Sequence, residues 1–98
     1  MGNKIKPILT SKRIEWLTKL RDTGPSTRKT VAGYHCMKLN WTSWVYDRNG
    51  ELVTGSDLKE KYNDQISMPE IIQKEGLKPT HLEMITADGL AALKAAGI

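Results

Sequence analysis

The 98 residues carry 15 lysines and arginines against 11 acidic residues, a formal net charge of +4. A chain of this length and 39% hydrophobic content predicts one globular domain, 1–98, with a flexible basic arm at 1–8. No apolar run approaches the ~20 residues that cross a bilayer, and no secretory leader is recognisable. We therefore expect a cytoplasmic protein without a membrane partner.

The single cysteine, Cys36, predicts a reducing compartment and no intramolecular disulfide. One cysteine and two distant histidines, His35 and His81, lack metal-ligand spacing, so we expect no metal and no cofactor. Neighbours on a helix point about 100° apart, so Cys36 and His35 are interpreted as buried structural residues rather than a nucleophile and base. Motifs for phosphate, dinucleotide or hydrolase chemistry are absent. The sequence thus predicts no catalytic residues and no enzyme.

The first predicted element is a helix over about 11–22. Thr10 or Ser11 can cap its start, since their hydroxyls accept from free backbone N–H groups. Ile14, Leu17 and Leu20 recur every three residues and form one apolar stripe. A Gly-Pro pair then ends the helix.

A second helix is predicted over about 27–39, capped by Ser26 or Thr27. Helical spacing assigns an inward stripe to Ala32, His35, Cys36 and Leu39. The outward face carries Tyr34 and Met37 and is uncharged, which is unusual for a solvated helix. Either this face binds a partner, or a later segment near 66–76 packs over it.

A β-hairpin is predicted over 43–54, where β-branched and aromatic residues are enriched. The Asn-Gly pair at 49–50 is a strong signal for its turn. Side chains alternate along a strand, so Trp44 and Tyr46 share one face. We expect these two aromatic residues to pack on Trp16 of the first helix.

The second half of the chain predicts three more elements after the hairpin. A short helix is capped by Ser56, and a capping box of Ser67 and Glu70 starts another. A short strand near 82–86 leads into a terminal helix near 87–96. Together with the hairpin, these elements predict an α+β fold.

Basic residues are concentrated in the first part of the chain. Residues 1–38 carry nine lysines and arginines against two acidic residues, whereas residues 39–98 carry six against nine. A basic half can attract phosphate, and an acidic half argues against nucleic-acid binding over the whole surface. The alternative is that the charge asymmetry only aids solubility.

Two segments resemble known DNA-binding folds. CMKLNWTS at 36–43 is similar to the turn of helix-turn-helix proteins, with Trp41 in place of the usual aliphatic residue. The hairpin turn at 49–50 leaves room only for a truncated third helix, or none. HLEMITADGLAAL at 81–93 resembles the strand and helix that close many winged-helix domains. LTSKRIEWL, NWTSW and ITADG also resemble segments of small phage and prophage proteins.

These resemblances imply a small winged-helix-like domain that binds double-stranded DNA as a transcriptional regulator in a bacterial host. The implied DNA-binding residues are Lys12, Arg13, Arg28, Lys29, Tyr34, Lys38 and Arg48. The alternative is a non-catalytic protein-binding module that engages or inhibits a host protein through the outward face of helix 27–39. Aromatic residues and methionine are enriched in protein interfaces, which favours Tyr34 and Met37 for this role. A homodimer is compatible with both hypotheses.

Overall fold

The structure is a computed structural model that describes residues 8–98, so the predicted arm lies outside the described residues except for the exposed Ile8. The elements are α1 Ser11–Thr23, α2 Val31–Lys38, β1 Thr42–Arg48, β2 Glu51–Thr54, α3 Gly55–Lys61, α4 Met68–Glu75, β3 Lys78–Ile85 and α5 Ala87–Ala95. The predicted α+β class is confirmed. None of the helices in this part of the chain is long and apolar enough to cross a membrane.

The strands form one antiparallel sheet in the order β2-β1-β3. The predicted hairpin joins β1 to β2, and Asn49 and Gly50 both take positive φ angles in its turn, 52° and 91°. Two helices, α3 and α4, separate the hairpin from β3. The aromatic strand β1 is therefore the centre of the sheet, paired on both sides.

The third strand is longer than the sequence predicts and begins at Lys78 rather than near residue 82. Pro79 is tolerated there because β3 is an edge strand, so its missing N–H leaves no neighbouring strand unpaired. Trp44 pairs with Glu83 but Tyr46 pairs with Pro79, so β3 bulges between these pairs. Within this bulge His81 adopts a left-handed backbone conformation with φ 61°.

The first core cluster lies among α1, α2 and α5 and the start of β1. Its buried residues are Trp16, Leu17, Leu20, Cys36, Trp41 and Leu93. Leu17 and Leu20 of the predicted α1 stripe are buried, and Ile14 at its start is half-buried. The tryptophan that packs with Trp16 is Trp41, so the expectation that Trp44 would do so was wrong.

The second core cluster lies under α3 and α4. Leu58, Ile71 and Leu77 are its buried residues, and Tyr46 and Val53 of the hairpin pack against it. The expectation that Tyr46 packs on the first helix was therefore also wrong. Tyr46 is half-buried by α3 and α4, whereas Trp44 stays 38% exposed.

The second helix begins at Val31, later than the predicted start near residue 27. The cause is an isolated bridge to β3: the Ser26 N–H donates to Glu83 O at 3.0 Å, and the Glu83 N–H donates to Ser26 O at 2.8 Å. These bonds tie the chain before α2 to the sheet. Thr30, not Ser26 or Thr27, is the N-cap residue.

The inward face of α2 differs from the predicted stripe. Gly33 and Cys36 are buried, Ala32 and Leu39 are half-buried, and His35 is exposed. The prediction of a buried His35 was wrong because the face carrying Gly33 is the one turned towards α1. The His35 ring instead packs edge-on against Tyr34, with ring centroids 5.8 Å apart.

The remaining helix starts follow local signals. Ser67 is the N-cap of α4 and Gly76 ends that helix in a left-handed conformation, as predicted, but the Ser67 side chain bonds the Glu70 carboxylate at 3.4 Å instead of a backbone N–H, so the predicted capping box was wrong. α3 is capped by Thr54, whose hydroxyl accepts from the Asp57 N–H at 3.1 Å, and not by Ser56. The Thr86 hydroxyl caps α5 by accepting from the Gly89 N–H, so the predicted start of the terminal helix is confirmed.

Candidate functional site

A fully buried carboxylate, Glu83 of β3, organises one face of the sheet. It accepts hydrogen bonds from Trp16 Nε1 at 3.2 Å, from Arg28 Nε at 2.8 Å and from the Thr42 hydroxyl. A buried charge is costly unless it is paired and hydrogen-bonded, and here donors from three separate segments satisfy it. Glu83 therefore holds Arg28 in one position on the surface.

The path of Arg28 depends on a glycine in α2. A Cβ atom at Gly33 would lie 2.7 Å from Arg28 Cγ and 3.0 Å from Trp16 Nε1. Both distances are shorter than ordinary carbon contacts, so a larger side chain would displace Arg28 or Trp16. The bare backbone of Gly33 lets the arginine reach Glu83.

Arg28 also contacts exposed aromatic rings. Its guanidinium carbon lies 4.7 Å from the centroid of the Trp44 ring and 5.8 Å from that of Tyr34. The Lys38 ammonium lies 5.3 Å from the Tyr34 centroid on the same helix. Each such cation–π contact contributes about 0.5–1 kcal/mol at an exposed site. We call these four residues, Arg28, Tyr34, Lys38 and Trp44, the basic–aromatic surface.

The rings of this surface remain accessible to a ligand. Tyr34 is 49% exposed and Trp44 is 38% exposed, whereas the other two tryptophans are at most 9% exposed. Arg28 is 22% exposed at its side chain, because one side of it is taken by Glu83. Segment 66–76 therefore does not cover Tyr34, which removes the packing explanation for that residue.

A cavity of about 210 Å³ adjoins Trp44 on the sheet. It is lined by Trp44, Val45, Tyr46, Ile72, Pro79 and His81. A second cavity, of about 170 Å³, also has Trp44 and Tyr46 in its wall and reaches Met37 of α2 and Met68 of α4. Trp44 thus lies between two openings over the central strand.

The predicted site residues fall into different surroundings. The structure brings together Arg28, Tyr34 and Lys38, and the exposed Lys29 follows Arg28 directly in the chain. Lys12 and Arg13 lie in the first turn of α1, where Arg13 Nη1 donates to the Ile8 carbonyl at 2.7 Å.

Arg48 lies away from the basic–aromatic surface, at the hairpin end of β1. Its guanidinium forms ion pairs with Glu51 at 2.9 Å and with Glu75 of α4. Lys61 and the Tyr62 hydroxyl also donate to Glu75, so three charged or polar groups, Arg48 included, surround one carboxylate. Arg48 therefore links the hairpin to α4 through paired charges.

Two residues of the site were not predicted from the sequence. Trp44 was assigned to the core, because strand alternation shows which residues share a face but not which face is covered. Glu83 gave no signal of burial, since alternation in the predicted strand puts it on the face opposite Leu82 and Met84, as for an exposed residue. Its partners Trp16 and Arg28 are more than 50 residues away in the chain, so no local pattern connects them.

Cys36 is a free cysteine buried in the core. Burial raises the pKa of the Cys36 thiol to about 11, with the nearby Glu83 charge acting in the same direction. A thiol held protonated in the core is a poor nucleophile, in line with the predicted structural role. Within residues 8–98, no group of three or more histidine, cysteine, aspartate or glutamate side chains could hold a metal ion.

No protein-family model matches the chain, and neither a curated protein nor a solved structure matches it. The winged-helix and phage-protein resemblances therefore stay predictions. The α+β class rests on the helices and the sheet themselves, and the functional argument rests on the basic–aromatic surface.

Proposed function

We propose that the protein binds nucleic acid through the basic–aromatic surface. The observation that carries this proposal is the placement of Arg28 against the exposed ring of Trp44, with Lys38 against the exposed ring of Tyr34. Lysine and arginine neutralise phosphates, and aromatic rings stack on bases. Alternating cations and rings are the combination that proteins use to hold a nucleic-acid strand.

Free positive charge near this surface supports the proposal. Lys29 and Lys38 form no ion pair with any residue between 8 and 98, whereas Arg28 and Arg48 are paired with carboxylates. The lysines are therefore assigned to phosphate contacts. Arg28 is assigned to orienting Trp44, and Lys12 and Arg13 in the first turn of α1 are proposed as further phosphate contacts. The winged-helix resemblance adds the hypothesis of a regulatory role on DNA.

The test is a salt titration of binding to a fluorescently labelled oligonucleotide, measured by anisotropy. Each phosphate contact adds about 0.7–0.9 to the slope of log affinity against log salt concentration. Lys29→Gln with Lys38→Gln should weaken binding and lower this slope by roughly 1–2.

A matched control variant carries Lys74→Gln with Lys94→Gln, which removes the same charge from exposed positions outside the surface. It should bind like the parent protein. The proposal fails if the parent shows no binding at about 10 μM protein in 50 mM salt. It also fails if both double variants lose the same affinity, because then only net charge matters.

A second candidate function is protein binding through the outward face of α2. The favouring observation is an apolar pair one turn apart, Val31 at 68% exposure and Tyr34 at 49% exposure. A pull-down from nuclease-treated lysate separates the two functions, because proteins bridged to the chain only through nucleic acid are then lost. A partner retained by the parent and by Leu90→Ser but lost with Val31→Ser would support protein binding, and equal retention by all three would exclude it.

A further inference from the structure

We infer that the cavity beside Trp44 receives one unpaired nucleobase, so that the protein engages single-stranded rather than duplex nucleic acid. This inference rests on the proposed function and names its substrate class. In a duplex, each base is stacked and paired, and its face is closed to a protein side chain. A tryptophan ring that serves as a stacking platform therefore selects bases that are already exposed.

The geometry of Trp44 suits such a platform. Glu83 holds Arg28, and Arg28 lies 4.7 Å from the Trp44 ring centroid, so the indole is supported by a fixed neighbour. The same indole forms part of the wall of the 210 Å³ cavity, with Pro79 and Ile72 among the other wall residues. Flat apolar surfaces of this kind match the faces of a nucleobase, which are apolar while its edges are polar.

His81 supplies a polar group in the wall of this cavity. It occupies the β3 bulge with a positive φ of 61°, a conformation that is uncommon outside glycine and that histidine adopts more often than most other residues, together with asparagine and aspartate. Thr80 fixes the bulge, because its hydroxyl donates to Val45 O at 2.8 Å and accepts from the Leu82 N–H at 3.2 Å. A neutral imidazole has one donor and one acceptor and can bond a base edge. The bulge thus places the imidazole at the cavity wall.

Charge complementarity distinguishes a nucleotide from an uncharged apolar ligand. Contacts run without a gap from Lys38 to Tyr34, from Tyr34 to Arg28 and from Arg28 to Trp44. Lys29 and Lys38, which form no ion pair within residues 8–98, lie at Arg28 and Tyr34 of this series, so a strand whose base enters the cavity can lay its adjoining phosphates against them. The base is thus assigned to Trp44 and His81. The sugar-phosphate backbone of the strand is assigned to Lys38 of α2 and to Lys29 just before that helix.

The experiment compares an unstructured 12-nucleotide strand with a hairpin duplex of related composition, by anisotropy at fixed salt. The parent protein should bind the single strand more tightly. Trp44→Leu should weaken single-strand binding by about 5- to 100-fold, the range measured when a stacking ring is removed. His81→Ala should weaken it by a smaller factor, and neither change should alter duplex binding.

Tryptophan fluorescence gives a readout that a structural role would not produce. Binding of the single strand should quench the emission of the parent protein. Trp44→Phe should keep most of the affinity, because phenylalanine still stacks, but should lose the quenching. Far-UV circular dichroism confirms that each variant is folded, and the conservative Trp44→Phe variant keeps the test valid if Trp44→Leu does not fold.

The outcomes separate the inference from the proposed function. If oligonucleotides bind but a strand with abasic sites binds as tightly as the normal strand, the base-cavity inference is overturned and phosphate binding stands. Tighter binding of the duplex, or full quenching in Trp44→Phe, overturns it as well. If neither oligonucleotide binds, the proposed function itself fails.

Discussion

The Arg28 guanidinium lies 4.7 Å from the centroid of the Trp44 ring while its Nε donates to the buried Glu83 carboxylate at 2.8 Å. One side chain thus connects the polar centre of the domain to its most exposed tryptophan. The ion pair between the buried Glu83 and the partly exposed Arg28 positions the Trp44 ring at the surface. Stability and surface geometry are therefore coupled at Arg28.

Removal of Arg28 should destabilise the fold. Arg28→Ala leaves Glu83 buried without its cation, and we expect a loss of about 3 kcal/mol in the free energy of unfolding. Arg28→Met combined with Glu83→Gln should recover part of this loss, because no unpaired charge remains. Urea unfolding measures both, and Lys29→Ala, an exposed neighbour, should change stability by less than about 0.5 kcal/mol. An equal effect of Arg28→Ala and Lys29→Ala would contradict the prediction.

Two helix glycines should resist replacement by alanine, although alanine is favoured in helices by about 1 kcal/mol. A Cβ at Gly89 would lie 2.2 Å from the Trp41 backbone oxygen, which cannot move aside without shifting the chain. We expect Gly89→Ala to lose about 3 kcal/mol and Gly33→Ala about 1–2 kcal/mol, since Arg28 can partly yield. Thermal and urea unfolding measure the stability of both variants and show which loses more. A gain in stability for either variant would refute the steric argument.

The three tryptophans should differ in access to solvent. Trp44 is 38% exposed, whereas Trp16 is 6% and Trp41 is 9% exposed. Iodide should therefore quench only part of the native emission, and all of it after unfolding in urea. In Trp44→Phe the quenchable part should be nearly absent. Unchanged iodide quenching in this variant would mean that another tryptophan is accessible.

Glu75 should make the protein sensitive to acid. Hydrogen bonds from Lys61 and Tyr62 hold the pKa of its carboxyl at about 2, below its ordinary value of 4.5. A depressed pKa stabilises the folded state above the unfolded value, and this stabilisation is lost as the pH falls from about 4.5 towards 2. The melting temperature of Glu75→Gln should be below that of the parent at pH 6, and the difference should shrink towards pH 2.

Glu60→Gln is the matched control for this acid dependence, because Glu60 is exposed and forms no ion pair with the residues between 8 and 98. Its melting temperature should follow the parent at every pH. If the gap between Glu75→Gln and the parent stays constant down to pH 2, the stabilisation does not come from the ionised carboxylate.

Cys36 should be unreactive in the folded protein. With a pKa of about 11, roughly one thiol in a thousand is ionised at pH 8, and the side chain is fully buried. A disulfide reagent that absorbs on reaction should therefore label Cys36 slowly in buffer and within the mixing time in denaturant. Fast labelling of the native protein would show that the core around α2 opens readily.

The sequence by itself determined the α+β class, the hairpin at 49–50, and the helices that begin at Ser11, Met68 and Ala87. These features depend on caps, turn residues and periodicity, which act over a few neighbouring residues. The grouping of Lys29, Tyr34 and Lys38 could also be predicted from the sequence, because α2 and the segment just before it carry all three. The proximity of Tyr34 and Lys38 follows from helical geometry alone, since they are four residues apart on α2.

The tertiary structure alone decided which tryptophan stays exposed, where α2 begins and that Arg28 is paired. The last two outcomes depend on Glu83, which lies 67 residues from Trp16 and 55 from Arg28 and is bonded to both. Trp41 fills the space beside α1, so Trp44 is left at the surface under Arg28. Burial and ion pairing depend on which segments contact each other in the folded chain. Contacts between segments so far apart in the sequence leave no local pattern from which to predict them.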